Sequence, residues 1–303
     1  MIIDFAKIAQ TYPAKFGVLL AFSGVLILTP DTLVIRLSGL ERWSLMGWRG
    51  ILMGAMLLII WRLLLTKNAS EEWRSLYSLP GLIVITAFSI NSATFTLGIV
   101  ETSATVVLTA VATMPVFAAI LSFLLLGERQ GILGWVAIVA AMIGVAVVVL
   151  DGSNATGSPS GSVVLGAFFG VLTAIGLALT FTIARKYPSL GILPASALGA
   201  MISGVTGLGI AGSVSIGDAP LWTVLSMGLI ILPLSFTCLN LAPRYTSSAI
   251  VSLLMLLEMV VGPFWVWLGV GEHPSLKMIL GAAFVTLVLG LHIIRTQWFG
   301  RDN

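Results

Sequence analysis

The sequence predicts an all-α integral membrane protein whose ten transmembrane helices form two inverted five-helix repeats. Three observations predict it: the balance of apolar to charged residues, the lengths of the apolar runs, and a segment that recurs 144 residues later. Of 303 residues, 58% are hydrophobic and 9% are charged, with a mean hydropathy of +1.09. A soluble domain carries roughly 25% charged residues to solvate its surface. Fifteen Lys and Arg with twelve Asp and Glu cannot do that, which excludes a soluble enzyme, a nucleic-acid binder and a disordered chain. The net charge of +3 is too small to point to nucleic acid. Cys238 is the one cysteine, so no intrachain disulfide forms. His273 and His292 are too few and too scattered for haem or zinc, and no cofactor or metal is expected.

A helix needs about 20 apolar residues to cross a bilayer core of about 30 Å. Ten runs meet that length. The first, 16–35, is longer than a signal-peptide core and lacks a small-residue cleavage site after it, so it is read as retained. Four more follow at 45–64, 79–100, 104–126 and 132–150. The next stretch, 151–162, reads DGSNATGSPSGS, a flexible linker at mid-chain. Five further runs occupy 163–184, 194–214, 221–241, 248–268 and 276–294. All are apolar on every face and about twice the length of a barrel strand, which rules out a β-barrel. The chain therefore divides into 1–150 and 163–303 around the linker.

Positive charge sets orientation. Eleven Lys and Arg fall on the side of the N-terminus, three on the opposite side, and Arg49 lies inside a span. The asymmetry places both termini in the cytoplasm of a multi-pass inner-membrane protein.

The repeat carries the inversion. Residues 103–128 read SATVVLTAVATMPVFAAILSFLLLGE, and residues 247–272 read SSAIVSLLMLLEMVVGPFWVWLGVGE. Both follow a Thr and both end in Gly-Glu. An odd number of spans per half inverts the second copy, the arrangement of many secondary transporters.

On these two segments the chain resembles the drug/metabolite transporter superfamily, specifically the EamA-type ten-helix permeases, over about residues 16–295. The segments look like that family's fourth and ninth helices. Arg49, in MGWRGILMGAMLL, matches an arginine common in its second helix, and Pro115 matches its fourth-helix proline. Where the ninth helix usually has proline after Glu258, this chain has Met259. TPDTLVIRL, at 29–37, resembles a first-helix pattern of some members and draws attention to Asp31. The resemblance implies two EamA-like repeats and a transport activity, for cargo ranging over amino acids, nucleosides, polyamines, drugs and sugar phosphates.

Ionisable groups inside spans are costly and mark function. Asp31 and Arg49 each lie four residues from the outer end of their runs, about 6 Å deep at about 1.5 Å per residue. An ion pair between them is expected. It is either a structural neutralisation or the resting form of a site where Arg49 holds an anionic group on the substrate. Glu258 lies ten residues into its run, about 15 Å deep, with no basic residue at matching depth in the sequence. A carboxylate there is expected to hold and exchange a proton, or else to bond a neighbouring helix; Glu258 and Asp31 are the candidate proton-coupling groups. Trp48 adjoins Arg49 and is a candidate wall of the site, with lipid anchoring as the simpler role. Asn91, with Thr94 and Thr96, should face protein or cavity, as should Asn240, with Ser235 and Thr237. Most tryptophans sit at span ends as an interfacial belt. Ala195, Gly199, Ser203, Gly207 and Ala211 form a small-residue ridge, either a packing seam or a sliding surface.

The leading reading is a secondary active transporter, exporter or exchanger, of a small organic metabolite such as an amino acid or related organic anion, by alternating access. Its partners are the lipid bilayer, the cargo and protons, with a monomer or a homodimer both open. No Walker motif is present, so ATP is not the direct energy source. A lipid-modifying membrane enzyme needs clustered acidic residues or histidines, and a channel favours oligomeric symmetry, so both are weaker alternatives.

Overall fold

The computed structural model describes residues 12–143 and 161–288, apart from 67, 129–130, 133, 137, 141, 218, 272–275, 277–279, 281–282 and 285–286. Among the described residues, eight helices are long and apolar enough to span a bilayer. They are α1 Pro13–Ser38, α2 Arg42–Leu65, α3 Leu79–Glu101, α4 Ala104–Leu126, α5 Val163–Lys186, α6 Ile192–Ala211, α7 Leu221–Arg244 and α8 Ser248–Val270. Each corresponds to one expected run. The fifth and tenth runs, 132–150 and 276–294, and the linker lie largely outside the described residues.

Local chemistry explains where these helices begin, break and end. Ser103 opens α4 by accepting the N–H of Val106, and Ser247 opens α8 by accepting that of Ile250. Gly127 closes α4 at φ 71° and Gly271 closes α8 at φ 75°, left-handed conformations that a side chain disfavours. The Ser and Gly-Glu positions that recur in the sequence are thus the same cap and stop used twice. Pro30 has no N–H for the Leu26 carbonyl; α1 breaks at Thr29–Pro30, and the Thr29 hydroxyl donates to Leu26 O at 2.9 Å instead. In α4 the break falls at Ala112–Thr113, ahead of Pro115, and Thr113 donates to Ala110 O at 2.7 Å. α7 widens into a π turn over Ser226–Ile231 before Pro233. Pro263 interrupts no stretch of α8, which runs unbroken from Ser248 to Val270.

Packing joins the two halves rather than keeping them apart. The most extensive pair is α2 with α6, followed by α3 with α5 and with α6, α4 with α5, and α1 with α7 and α8; α4 also meets α8. Lipid tails are as apolar as these side chains, so close backbone approach supplies much of the attraction. At the α2–α6 crossing, a Cβ on Gly50 would stand 2.4 Å from Ala200 O and 2.6 Å from Gly204 N. The small-residue ridge is not one surface. Gly199 abuts Ile85, Phe88 and Ser89 of α3, whereas Gly207 abuts Trp43 and Gly47 of α2. α6 is therefore wedged between two helices of the other half.

Because backbone atoms cannot yield, Gly50→Leu is expected to cost more than the about 1–3 kcal/mol of ordinary overpacking. It should remove most of the monodisperse protein from a detergent gel-filtration profile. Gly209→Ala meets nothing within 4 Å and should leave the profile unchanged. Equal yields of the two variants would refute this account of the crossing.

Candidate functional site

The helix breaks place the buried polar groups. Asp31 is the first residue after the break in α1 and is 0% exposed; Arg49, about two turns into α2, is 6% exposed. The two form a bidentate pair, with Arg49 Nη1 donating to Asp31 Oδ1 at 2.7 Å and Nη2 to Oδ2 at 2.8 Å. Nη1 also reaches Met227 Sδ at 3.3 Å, and the guanidinium lies 5.9 Å from the centre of the Phe95 ring. The fork, the thioether and the ring leave this arginine well compensated.

Glu258, on α8, is 3% exposed, and its Oε1 has no hydrogen-bond partner. It shares one cavity with Asp31 and Arg49. The expected difference in depth is corrected here. α1 runs to Ser38 and α2 starts at Arg42, three residues beyond each apolar run, because Glu41 caps α2 by accepting the Trp43 and Ser44 N–H groups. Both charged residues therefore lie seven residues from their helix ends, about 10 Å deep, and the inference that Glu258 has no basic residue near its level fails.

Asn91 completes the polar set. It is 3% exposed, lines the same cavity, and its Nδ2 has no partner. Phe88, Asn91, Ser92 and Phe95 all line it from α3, at the spacing of one helix face. That spacing, counted outward from Asn91, is the signal that would have found Phe88, Ser92 and Phe95 in the sequence. The remaining wall is Leu28, Met53, Val111, Thr173, Leu177, Leu232, Phe236 and Met255. Seven helices, α1 to α4 from the first half and α5, α7 and α8 from the second, thus meet around it; α6 contributes none of the lining residues. The cavity holds about 40 Å³, room for a water or two but not for an organic molecule.

Other expected site residues lie elsewhere. Trp48 does not line the cavity; it is half-buried, and its Nε1 has no partner. Asn240 donates to Ser196 Oγ at 3.0 Å, joining α7 to α6. Thr94 pairs with Thr173 at 2.8 Å, joining α3 to α5. Ser235 and Thr237 bond carbonyls of their own helix, Leu232 and Pro233. Two tryptophans serve as polar partners: Trp265, deeper than the expected interfacial belt, donates from Nε1 to Thr29 Oγ1 at 3.0 Å, and Trp61, a member of that belt, donates from Nε1 to Glu72 Oε2.

Polar ties join helices toward both ends of the bundle. At the end where α1 meets α2, Arg42 pairs with Glu101 at 3.0 Å, Glu101 Oε1 accepts the Ser162 N–H, and Arg36 donates to Thr102 O. At the other end, Ser122 meets Ser248 at 2.7 Å, Arg244 donates to Leu190 O, and Ser75 Oγ accepts the Gly191 N–H.

No curated protein matches the chain. A solved crystal structure is similar over 92% of this chain and 98% of its own, at 13% identity with a TM-score of 0.71; at that identity the likeness shows a shared fold. Eight apolar spans make the chain a multi-pass membrane protein. Residues 15–150 match the EamA-like transporter family, which is part of the drug/metabolite transporter superfamily.

Proposed function

We propose that the protein is a secondary active transporter of a small organic metabolite, working by alternating access around the central cavity as an exporter or exchanger. One observation carries this reading: Asp31, Arg49, Asn91 and Glu258, costly residues in a membrane interior, converge on a single cavity walled by helices of both halves. An ion-pair brace alone would not need Glu258 and Asn91 aimed at the same space with unused polar atoms. An amino acid or related organic anion is the cargo the sequence suggests, and its carboxylate would reach the Arg49 fork only by displacing Asp31.

The pattern of helix pairs supports two related halves. Exchanging α1 to α4 with α5 to α8 turns α3–α5 into α7–α1, α4–α5 into α8–α1 and α3–α6 into α7–α2, and leaves α2–α6 and α4–α8 unchanged; every pair so generated is present. With the fifth and tenth spans this gives ten helices in two inverted repeats, the geometry in which a rocking motion opens one face as it closes the other.

Uptake into proteoliposomes against a panel of metabolites, with and without a pH gradient, tests the reading. Saturable accumulation of a panel member supports it, and no protein-dependent flux for any member refutes it. Topology is tested separately. In the inner membrane with cytoplasmic termini, a cysteine at Ser215 should react with an impermeant maleimide added to intact cells, and one at Ser70 should react only after lysis. Labelling of both from the same side would overturn that orientation.

A further inference from the structure

We infer that Glu258 is the recognition group for a positively charged amine on the cargo, that this cation and a proton exchange there, and that the Arg49–Asp31 pair stays closed meanwhile. The inference rests on the transporter reading and names its substrate class.

The argument is one of unused valences. Arg49 commits both terminal nitrogens to the two oxygens of Asp31 at 2.7 and 2.8 Å, and its face to Phe95. An anion arriving at Arg49 must first break this fork and then leave a desolvated Asp31, which is costly. Glu258 Oε1 is buried, faces the same cavity and has no partner. The charged groups lining that cavity with it are Asp31 on α1 and Arg49 on α2; among the described residues, α3, α4, α5 and α7 contribute no ionisable side chain to it. Since Arg49 and Asp31 cancel each other, the charge left to be answered is that of Glu258 alone.

The wall agrees with a cation. Phe88 and Phe236 meet edge to face with centroids 5.2 Å apart, both on the cavity. Aromatic faces attract ammonium groups and cover apolar bodies equally well. Asn91 adds a neutral polar group at the same wall.

The exchange balances. In one loaded state the Glu258 carboxyl keeps its proton and is neutral. When the cation enters, the Glu258 O–H bond breaks, the proton leaves to water, and the carboxylate pairs with the ammonium. No covalent bond to the cargo forms, and the site has no net charge in either state. The two loads compete for one carboxylate, which makes one-for-one exchange of cation against proton a property of the site itself. A cavity of about 40 Å³ fits the proton-loaded state, and the organic cation requires the helices to part.

Binding to the full-length protein in detergent tests this, using radiolabelled benzyltrimethylammonium, whose charge is fixed at every pH, with phenylacetate as the anionic counterpart. One proton is released per cation bound, so the apparent Kd is expected to fall about tenfold per pH unit while Glu258 holds a proton and to level off above that range. Glu258→Gln should weaken binding by about tenfold or more and make it independent of pH, and Glu258→Asp should keep the pH dependence. Absent binding, binding with a flat pH profile in the unaltered protein, or unchanged binding in Glu258→Gln would each overturn the inference. Phenylacetate binding that is lost in Arg49→Lys, with the cation inert, would overturn it while leaving a transporter of anions. The binding assay needs no flux, so its outcome is separate from that of the uptake panel.

Discussion

Asp31→Ala is expected to destabilise the protein by about 3–5 kcal/mol, the usual cost of removing one partner of a buried ion pair, and to abolish transport. The cause is what remains. Arg49 is 6% exposed and would be left with a thioether and a ring in place of a carboxylate. The measurement is thermal inactivation in detergent, followed by gel filtration, alongside proteoliposome flux. Asp31→Leu combined with Arg49→Met removes both charges and fills the space with apolar atoms beside Met53 and Met227. That double variant should recover most of the lost stability, since well-packed apolar replacements of buried pairs are often neutral or better. If the pair is a brace that holds Glu258 in a neutral setting, flux should return with the fold. A stable double variant without flux would instead make Arg49 the group that holds the cargo, and would count against exchange at Glu258.

The span positions were readable because the apolar requirement of a bilayer is imposed residue by residue. Residues 104–126 were delimited without error, and most other ends moved by only two or three positions. Those small shifts had large consequences. Ser38 and Arg42 are polar, so counting only apolar residues stopped short of the true helix ends and set Asp31 and Arg49 too shallow. The pairing of Asp31 with Arg49 could be argued from a tight turn between antiparallel helices. The approach of Glu258 could not, because it depends on α8 packing against α1, more than two hundred residues away in the chain. Asn91 was found by its cost in lipid, whereas Phe88 and Phe95 were not, since a phenylalanine in a membrane helix is unremarkable until a polar neighbour fixes which face looks inward. Trp48 shows the converse: adjacency to Arg49 in sequence puts it about 100° around the helix, off the cavity.

The largest expected effect on the cycle itself comes from joining α4 to α8. Ser122 lies one turn before the end of α4, and Ser248 is the first residue of α8. Both are 0% exposed, and their hydroxyls meet at 2.7 Å. Thr182 of α5 stands 3.4 Å from Ser248 and secures its own hydroxyl on Ala178 O. The contact ties one half to the other at the face where the chain begins, and α4 and α8 also line the cavity through Val111, Met255 and Glu258. Alternating access requires this seam to part when the cavity opens toward that face. Touching hydroxyls bring the two Cβ atoms near the separation a disulfide spans. In a Cys238→Ser background, Ser122→Cys with Ser248→Cys should therefore cross-link on mild oxidation and stop flux completely, and reduction should restore it. Each single cysteine should transport under both conditions, since one sulfur cannot lock the seam. Complete cross-linking, verified by mass spectrometry, with flux unchanged would mean that α4 and α8 move as one body and that the opening lies elsewhere, at the Arg244–Leu190 and Ser75–Gly191 ties on the same face.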